Sequence, residues 1–246
     1  MKIAVVIPTY KRIKKLERCL KSLESQTYKD FWINVYADNN DSKTFNYIND
    51  SWTNKKTLDV IPTEMAKQSF VIGCWNDFFY SSIKMPGVKG FRSYDAVAWI
   101  VDDVELYPNY LEELVKAMQT NFPDLDGVVG AKQVCPDRND YTFKYYGQVL
   151  LGKKFIERYK EVDYKVCCPA YKHFFQDEEM WIYANSLGKF VNCETAILNH
   201  YHPAFVPEEL DETHNLIRDE VKKTDQIVHE IRTKKNLIWG KTWQEK

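Results

Sequence analysis

The chain has 246 residues, of which 44% are hydrophobic and 28% charged, and its formal net charge is −1. This composition excludes a disordered or collagen-like chain, and the length suits one large α/β domain or two small ones. The charge balance disfavours nucleic acid as a partner, and no apolar run reaches the ~18 residues of a membrane helix. The six cysteines form no CxxC pair. We therefore expect a cytoplasmic protein without a membrane span.

The first half of the chain alternates between strand and helix patterns. Apolar runs predict strands, in chain order, at Lys2–Ile7, Phe31–Ala37, Thr57–Ile61, Ala96–Val101 and Gly127–Val134. Between the first two lies a helical stripe of Ile13, Leu16, Leu20 and Leu23, and Pro108 begins another helix. This alternation predicts an α/β fold with a mostly parallel central sheet and helices on both faces.

The second half is less regular. A helix is predicted over Asp177–Leu187, with Gly188 at its end, and a strand over Asn192–Asn199. From Leu210 to Ile231 the apolar spacing predicts one long amphipathic helix. That helix could dock on the rest of the chain or pair with a second copy.

Polar side chains follow three of the predicted strands. Thr9 and Tyr10 come after the first strand, Asp38 after the second, and Asp102 and Asp103 after the fourth. In open α/β sheets the ligand lies outside the carboxyl ends of the strands. The sequence therefore predicts one binding crevice at this edge.

Each candidate acid or histidine of the chain allows two interpretations. Asp102 and Asp103 could hold Mg²⁺ or Mn²⁺ with the phosphates of a substrate, or lie in a solvated loop before a helix. Asp38 could accept a hydrogen bond from a base or a ribose, or cap a turn. The acids at 177–179 could supply a general base or cap a helix. His200 and His202 could contact a metal or phosphate, or be surface histidines.

Five segments of the chain resemble, in order, the motifs of family 2 glycosyltransferases with the GT-A fold. They are VVIPTYKRIKKLERCLKSLESQTYKDFWINVYADNNDS, VIGCWNDFF, AWIVDDVELYPNYLEELV, FFQDEEMWIYANSLGKF and AILNHYHP. The resemblance covers residues 2–203. It implies a Rossmann-like GT-A domain over 1–205, with a donor nucleotide half (1–107) and an acceptor half (108–205). Residues 206–246 would form a C-terminal helical extension.

The resemblance implies a role for each matched residue in the donor half. These positions would bind the donor nucleotide: Pro8, Thr9, Tyr10, Asp38, Asn76 and Asp102. Asp38 would contact the base, uracil or thymine, and Asp102 the ribose or the surroundings of the metal. The acidic motif of the family is usually Asp-x-Asp, whereas this chain has Val101-Asp102-Asp103. Asp103 would be the direct ligand of Mn²⁺ or Mg²⁺.

In the acceptor half the resemblance implies the catalytic base. Asp177 would take the proton of the acceptor hydroxyl. Glu178 is the alternative candidate for the base, because Gln176 replaces the first acid of the Glu-Asp pair of the family. His200 would help hold the metal or the diphosphate, and His202 is the alternative candidate for this role. The Gln-x-x-Arg-Trp motif of processive synthases is absent from the sequence. The implied reaction is transfer of one sugar, with inversion, from a UDP- or dTDP-sugar to a saccharide or glycoconjugate.

Two other functions remain open at this stage. One is a transferase of this fold that acts on modified bases in DNA, for which the chain has only local basic clusters, at Lys153-Lys154 and in 232–241. The other is a nucleotide- or glycan-binding domain without turnover, which the departures at Val101 and Gln176 suggest. The C-terminal helix could also form a homodimer.

Overall fold

The computed structural model describes residues 1–51, 58–64, 70–85, 93–136 and 138–241. Its strands are β1 (Ile3–Thr9), β2 (Phe31–Asp38), β3 (Leu58–Thr63), β4 (Ala96–Trp99), β5 (Val104–Leu106), β6 (Val128–Cys135), β7 (Arg138–Thr142), β8 (Val149–Gly152) and β9 (Phe190–His200). Its α-helices are α1 (Ile13–Glu24), α2 (Ser42–Ser51), α3 (Phe70–Lys84), α4 (Tyr110–Asn121), α5 (Lys153–Glu157), α6 (Gln176–Ser186), α7 (Glu212–Leu216) and α8 (Lys222–Lys234).

The predicted strands and helices of the first half are present, within a few residues of their expected bounds. Thr57, the first residue of the predicted third strand, lies outside the described residues. The stripe on α1 is buried as expected: Leu16, Leu20 and Leu23 are each fully inaccessible to solvent. No helix in the described ranges is long and apolar enough to cross a membrane.

The sheet is mixed, which corrects the prediction of a mostly parallel one. Its strands lie in the order β3-β2-β1-β4-β8-β6-β9-β5, and β7 pairs with β6. The first four are parallel, but β8 runs antiparallel to both of its neighbours, and β5 runs antiparallel to β9. The strands β5 and β8 have only three and four residues. Runs this short carry too little periodicity to predict a strand or its direction.

Apolar layers cover both faces of the sheet. On one face α1, α2 and α4 pack over a cluster that includes Leu20, Ile48 and Leu114. On the other face α3, α5 and α6 pack over a cluster that includes Phe78 and Phe155. Because β1 and β4 contribute buried side chains to both clusters, their carboxyl ends are held between two packed layers.

The C-terminal part is a broken helix rather than the single helix predicted over Leu210–Ile231. The short helix α7 ends at Leu216, a π-helical turn covers Ile217–Val221, and α8 follows. The side chains of Thr213 and Asp225 are buried against the rest of the chain, which favours docking over pairing with a second copy. Ile227 and Ile231 stay 59% and 48% exposed.

The burial of α1 gives a first test. Replacing the fully buried Leu20 by Ala should lower the free energy of unfolding by about 2–5 kcal/mol, because the core loses apolar contacts and gains a cavity. Leu210→Ala, at a side chain that is 50% exposed, should change it by much less. Urea unfolding of both variants measures the difference. Equal losses would contradict the packing of α1 described above.

Candidate active site

A cavity of about 440 Å³ opens at the carboxyl ends of β1 and β4. Its walls include the segment after β1, the acidic pair after β4, the residues just before α6, the histidines at the end of β9, and the C-terminal segment around α7. The lining includes Pro8, Thr9, Tyr10, Arg12, Asp102, Asp103, His173, Phe174, His200, His202, Thr213, His214, Arg218 and Lys222. The crevice predicted at this edge is therefore present, and the C-terminal segment forms one of its walls.

The acidic pair is almost completely buried. Asp102 is 1% exposed and Asp103 is 3% exposed. The hydroxyl of Thr9 donates a hydrogen bond of 2.7 Å to Asp102 Oδ2, and the backbone N–H of Tyr201 donates to the Asp103 carbonyl over 2.9 Å. These bonds tie the pair to the ends of β1 and β9. Burial of two adjacent carboxylates is costly unless a positive charge lies beside them.

That positive charge is Arg12, which sequence analysis did not single out. Its Nη1 lies 2.6 Å from Asp102 Oδ1, and its Nη2 lies 2.8 Å from Asp103 Oδ2. Its Nε donates to Asp211 Oδ2 over 3.0 Å, and Lys15 Nζ lies 2.7 Å from the same oxygen of Asp211. The Arg12 side chain is only 9% exposed. One guanidinium therefore joins the start of α1, the acidic pair and the C-terminal segment.

The sequence signal for Arg12 was indirect. It lies in the stretch Lys11-Arg12-Ile13-Lys14-Lys15, where basic residues resemble the solvated side of the following helix. The buried acids require a cation beside them, and the only cation that the sequence suggested for that place was Mg²⁺ or Mn²⁺. A fixed guanidinium answers the same requirement, because its planar fork matches carboxylate oxygens.

The two carboxyl groups of the pair have opposite pKa shifts. Burial opposes ionisation of Asp103, yet the charge of Arg12 and the contacts of His200 and His214 hold the pKa of Asp103 well below its ordinary value. Burial raises the pKa of Asp102, and Arg12 offsets that effect only in part. The surroundings thus favour the ionised form of Asp103 more than that of Asp102.

Four of the five histidines of the chain line the cavity. His200 Nε2 lies 3.4 Å from Asp103 Oδ1, and His214 Nε2 lies 3.3 Å from Asp103 Oδ2. His214 is also held through Nδ1, which is 2.9 Å from Asp211 Oδ1. Burial lowers the pKa values of His173 and His202 to about 4, so both are neutral at pH 7. Of these four, His200 and His202 were predicted from the sequence, and His173 and His214 were not.

The metal ligands predicted from the sequence lie together, but they do not form a metal site in this arrangement. Asp103 and His200 are in contact, as expected of two ligands. However, the guanidinium of Arg12 occupies the position between Asp102 and Asp103. Over the described ranges, no group of three or more His, Cys, Asp or Glu side chains is arranged to hold a metal ion. The acids as placed here fit a guanidinium, and not a divalent cation.

Two residues assigned to the donor nucleotide have other partners. Asp38 ends β2 and is buried, and its Oδ1 accepts a hydrogen bond of 3.2 Å from the backbone N–H of Asn40, as in a turn. The amide of Asn76 bonds the backbone of Cys167 twice: Nδ2 donates to the carbonyl over 2.8 Å, and Oδ1 accepts from the N–H over 2.9 Å. Asn76 therefore fastens α3 to the loop before α6. Neither residue lines the cavity.

The predicted base lies at the first turn of α6. Asp177 Oδ1 accepts a hydrogen bond of 3.0 Å from the backbone N–H of Glu178, and neither side chain lines the cavity. Burial raises the pKa of Asp177 to about 6. A carboxyl group with a pKa near the working pH is suited to general base catalysis. His173 and Phe174, which come just before α6 in the chain, do line the cavity.

Comparison with solved structures finds proteins of the same fold. The first 349 residues of TarS from S. aureus match with a TM-score of 0.60 and 15% identity, over 87% of this chain and 68% of that one. The same fragment in complex with UDP matches with a TM-score of 0.57. The mannosyltransferase PcManGT from Pyrobaculum calidifontis, in complex with GDP-Man and Mn²⁺, matches with a TM-score of 0.61 and 12% identity, over 94% of this chain and 64% of that one.

These matches show that the chain has a fold like that of GT-A glycosyltransferases. The expectation of this fold from the sequence is therefore confirmed, apart from the direction of the strands. No protein-family model matches the chain, and no curated protein matches its sequence.

The buried guanidinium provides a second test. Arg12→Ala should lower the free energy of unfolding by about 3–5 kcal/mol at pH 7, because it leaves the buried acids without their counterion. The folded-state pKa of Asp103 is lowered, so the stability that Arg12 provides is present above the unfolded value of about 4 and is lost as the pH falls further. The difference between wild type and variant should therefore shrink below about pH 4.

Urea unfolding at pH 7, 5, 4 and 3 measures this difference. The control is Arg138→Ala, at an exposed arginine. A cost for Arg12→Ala no greater than that of the control, or independent of pH down to 3, would contradict the buried ion cluster.

Proposed function

We propose that the chain is an inverting, non-processive glycosyltransferase. It would move one sugar from a nucleotide-diphosphate sugar, with UDP- or dTDP-sugars favoured, to a hydroxyl group of a saccharide or glycoconjugate. The observation that carries this proposal is the cavity where the buried acids after β4 meet the segment after β1, in a fold like that of GT-A glycosyltransferases. Its volume of about 440 Å³ is within the usual range for small-molecule sites.

The walls of the cavity suggest how the donor would bind. Pro8, Thr9, Tyr10 and Asp102 would contact the nucleoside, as the sequence predicted. The side chains of Arg218 and Lys222 also line the cavity, and these cations would face the diphosphate. A positive charge at that position stabilises the negative charge that develops on the leaving nucleotide diphosphate.

Asp177 would act as the general base, with Glu178 beside it. The acceptor oxygen forms a bond to the anomeric carbon as the bond to the diphosphate oxygen breaks, and Asp177 takes the hydroxyl proton. A single displacement of this kind inverts the anomeric centre. Tyr146 packs against Trp181, which lies one helical turn after Asp177, with ring centroids 5.1 Å apart and planes inclined by 36°. This aromatic pair would offer apolar surface to a saccharide acceptor.

The divalent cation stays a prediction. Mn²⁺ or Mg²⁺ on Asp103 and His200 would require Arg12 to release Asp103, and no step above depends on the metal. A homodimer through α8 also stays a prediction, for which the exposed Ile227 and Ile231 are the support.

Ligand-dependent stability tests the donor site. UDP, dTDP, GDP and the corresponding nucleotide sugars should raise the melting temperature of the protein if they bind the cavity, by the equivalent of about 2.7 kcal/mol at a hundredfold excess over Kd. Each is measured with and without Mn²⁺ or Mg²⁺, in wild type and Asp103→Ala.

Stabilisation that needs a metal and is lost in Asp103→Ala would support the metal site. Stabilisation without metal would support donor binding by the protein cations alone. The absence of any shift would contradict a donor site and favour a different ligand.

The pH dependence of turnover tests the base. Because only the ionised form of Asp177 accepts a proton, kcat should rise with pH through about 6 and level off above it. Asp177→Asn should lower kcat by about 10²–10⁴-fold, because the amide cannot take the proton. The exposed Asp163→Asn is the control. A variant at position 177 with normal kcat would show that another group removes the proton.

A further inference from the structure

The carboxylate of Asp225, on α8, is buried against three consecutive backbone amides. It is 0% exposed, although aspartate is among the residues least often buried. Its Oδ2 accepts hydrogen bonds of 3.2, 2.8 and 2.8 Å from the N–H groups of Lys172, His173 and Phe174, and its Oδ1 accepts another of 3.0 Å from Lys172. Three consecutive backbone N–H groups that point at one carboxylate form an anion-binding site. Here the anion is supplied by the protein itself.

The three amides belong to the segment that joins the cavity to the predicted base. His173 and Phe174 line the cavity, and α6 begins two residues later with Gln176 and Asp177. Between them, Phe175 has a φ of 66°, in the left-handed region that is unfavourable for a residue with a bulky side chain. Such a backbone persists only where its surroundings hold it in place.

The same face of α8 supplies the rest of that support. One turn after Asp225, the ring of His229 stacks on Phe175 with centroids 4.2 Å apart and planes within 10°. Another turn on, Arg232 donates two hydrogen bonds, of 2.6 and 2.8 Å, to the carboxylate of Glu179 in α6. Asp225, His229 and Arg232 have the i, i+4, i+7 spacing of one helix face. All three contact residues between 172 and 179.

We propose that α8 is a positioning element for the transfer reaction, and that Asp225 is its principal positioning residue. The helix fixes the strained segment 172–175, and through it the orientation of Asp177 relative to the donor cavity. Asp225 touches neither donor nor acceptor and acts through the backbone that it holds. This inference rests on the proposed function, since it assigns Asp225 a part in the same reaction.

The test is the near-isosteric variant Asp225→Asn in the full chain. An amide at this position keeps the shape but loses the charge, and its NH₂ group must face a backbone N–H that also donates. We expect the amide hydrogens of residues 172–174 to exchange at least tenfold faster with deuterium than in wild type. The kcat should fall at least tenfold and the KM for the donor should change by a smaller factor, because only His173 and Phe174 of the proposed donor cavity belong to the loosened segment.

The matched control is Glu230→Gln, an exposed carboxylate on the same helix whose hydrogen bond is to Gln226. Circular dichroism and urea unfolding give the folded fraction, by which kcat is corrected. A purely structural loss would lower the folded fraction without changing the corrected kcat. Asp225→Glu, which keeps the charge, should recover part of the lost kcat.

Three results would overturn the proposal. Unchanged exchange at 172–174 would show that Asp225 does not hold the segment. Faster exchange with an unchanged corrected kcat would show that the segment needs no such support for the reaction. A wild type that turns over no nucleotide sugar, although its amides at 172–174 are protected through Asp225, would contradict the proposed function and leave α8 a structural brace only.

Discussion

The structure depends on one buried guanidinium. Arg12 contacts carboxylates from residues 102, 103 and 211, which are about 90 and 199 positions away along the chain. Asp102 and Asp103 are almost completely buried, and removal of Arg12 would leave this acidic pair without its guanidinium counterion. The start of α1, the end of β4 and the C-terminal segment are therefore fixed to one another by the same group, and the cavity is the space that they enclose.

The C-terminal segment belongs to the site as much as to the scaffold. Asp211 caps α7, where it accepts a hydrogen bond from the N–H of His214, and it also holds Arg12 and Lys15. His214 turns back to Asp103, and Thr213 donates to the carbonyl of Tyr10. Farther on, α8 reaches the segment before α6. A part of the chain that the sequence suggested as an extension thus contacts both the acidic pair and the surroundings of the predicted base.

Two parts of the site have different electrostatic character, which suits the proposed division of tasks. Around Asp103 the nearby cation and imidazoles favour the ionised carboxylate, and this region is rigidly paired. Among the residues that the structure describes, no cation is paired with Asp177, and burial raises its pKa to about 6, so it can exchange a proton near neutral pH. Environments that separate the pKa values of two carboxyl groups in this way are a usual means of assigning them different chemical tasks.

The sequence by itself determined the local features of this protein. Continuous apolar runs located β1 and β2, the stripe on α1 identified its buried face, and polar residues at strand ends located the crevice and the acidic pair. Each of these is a pattern within a few adjacent residues, where periodicity and burial are directly linked. A cation beside Asp102 and Asp103 was one of the two interpretations that the sequence allowed, the other being a solvated loop.

Only the tertiary structure decided which groups meet across long distances. It selected Arg12 as the counterion, made the sheet mixed by inserting β8 between β4 and β6, and brought His214 to Asp103 and Asp225 to the segment before α6. Short strands and single polar residues carry no local period, and their partners are set by packing between elements far apart in the chain. Charge pairing and backbone hydrogen bonding are satisfied only in three dimensions, and for that reason the residues around the cavity could not all be found from the order of the amino acids.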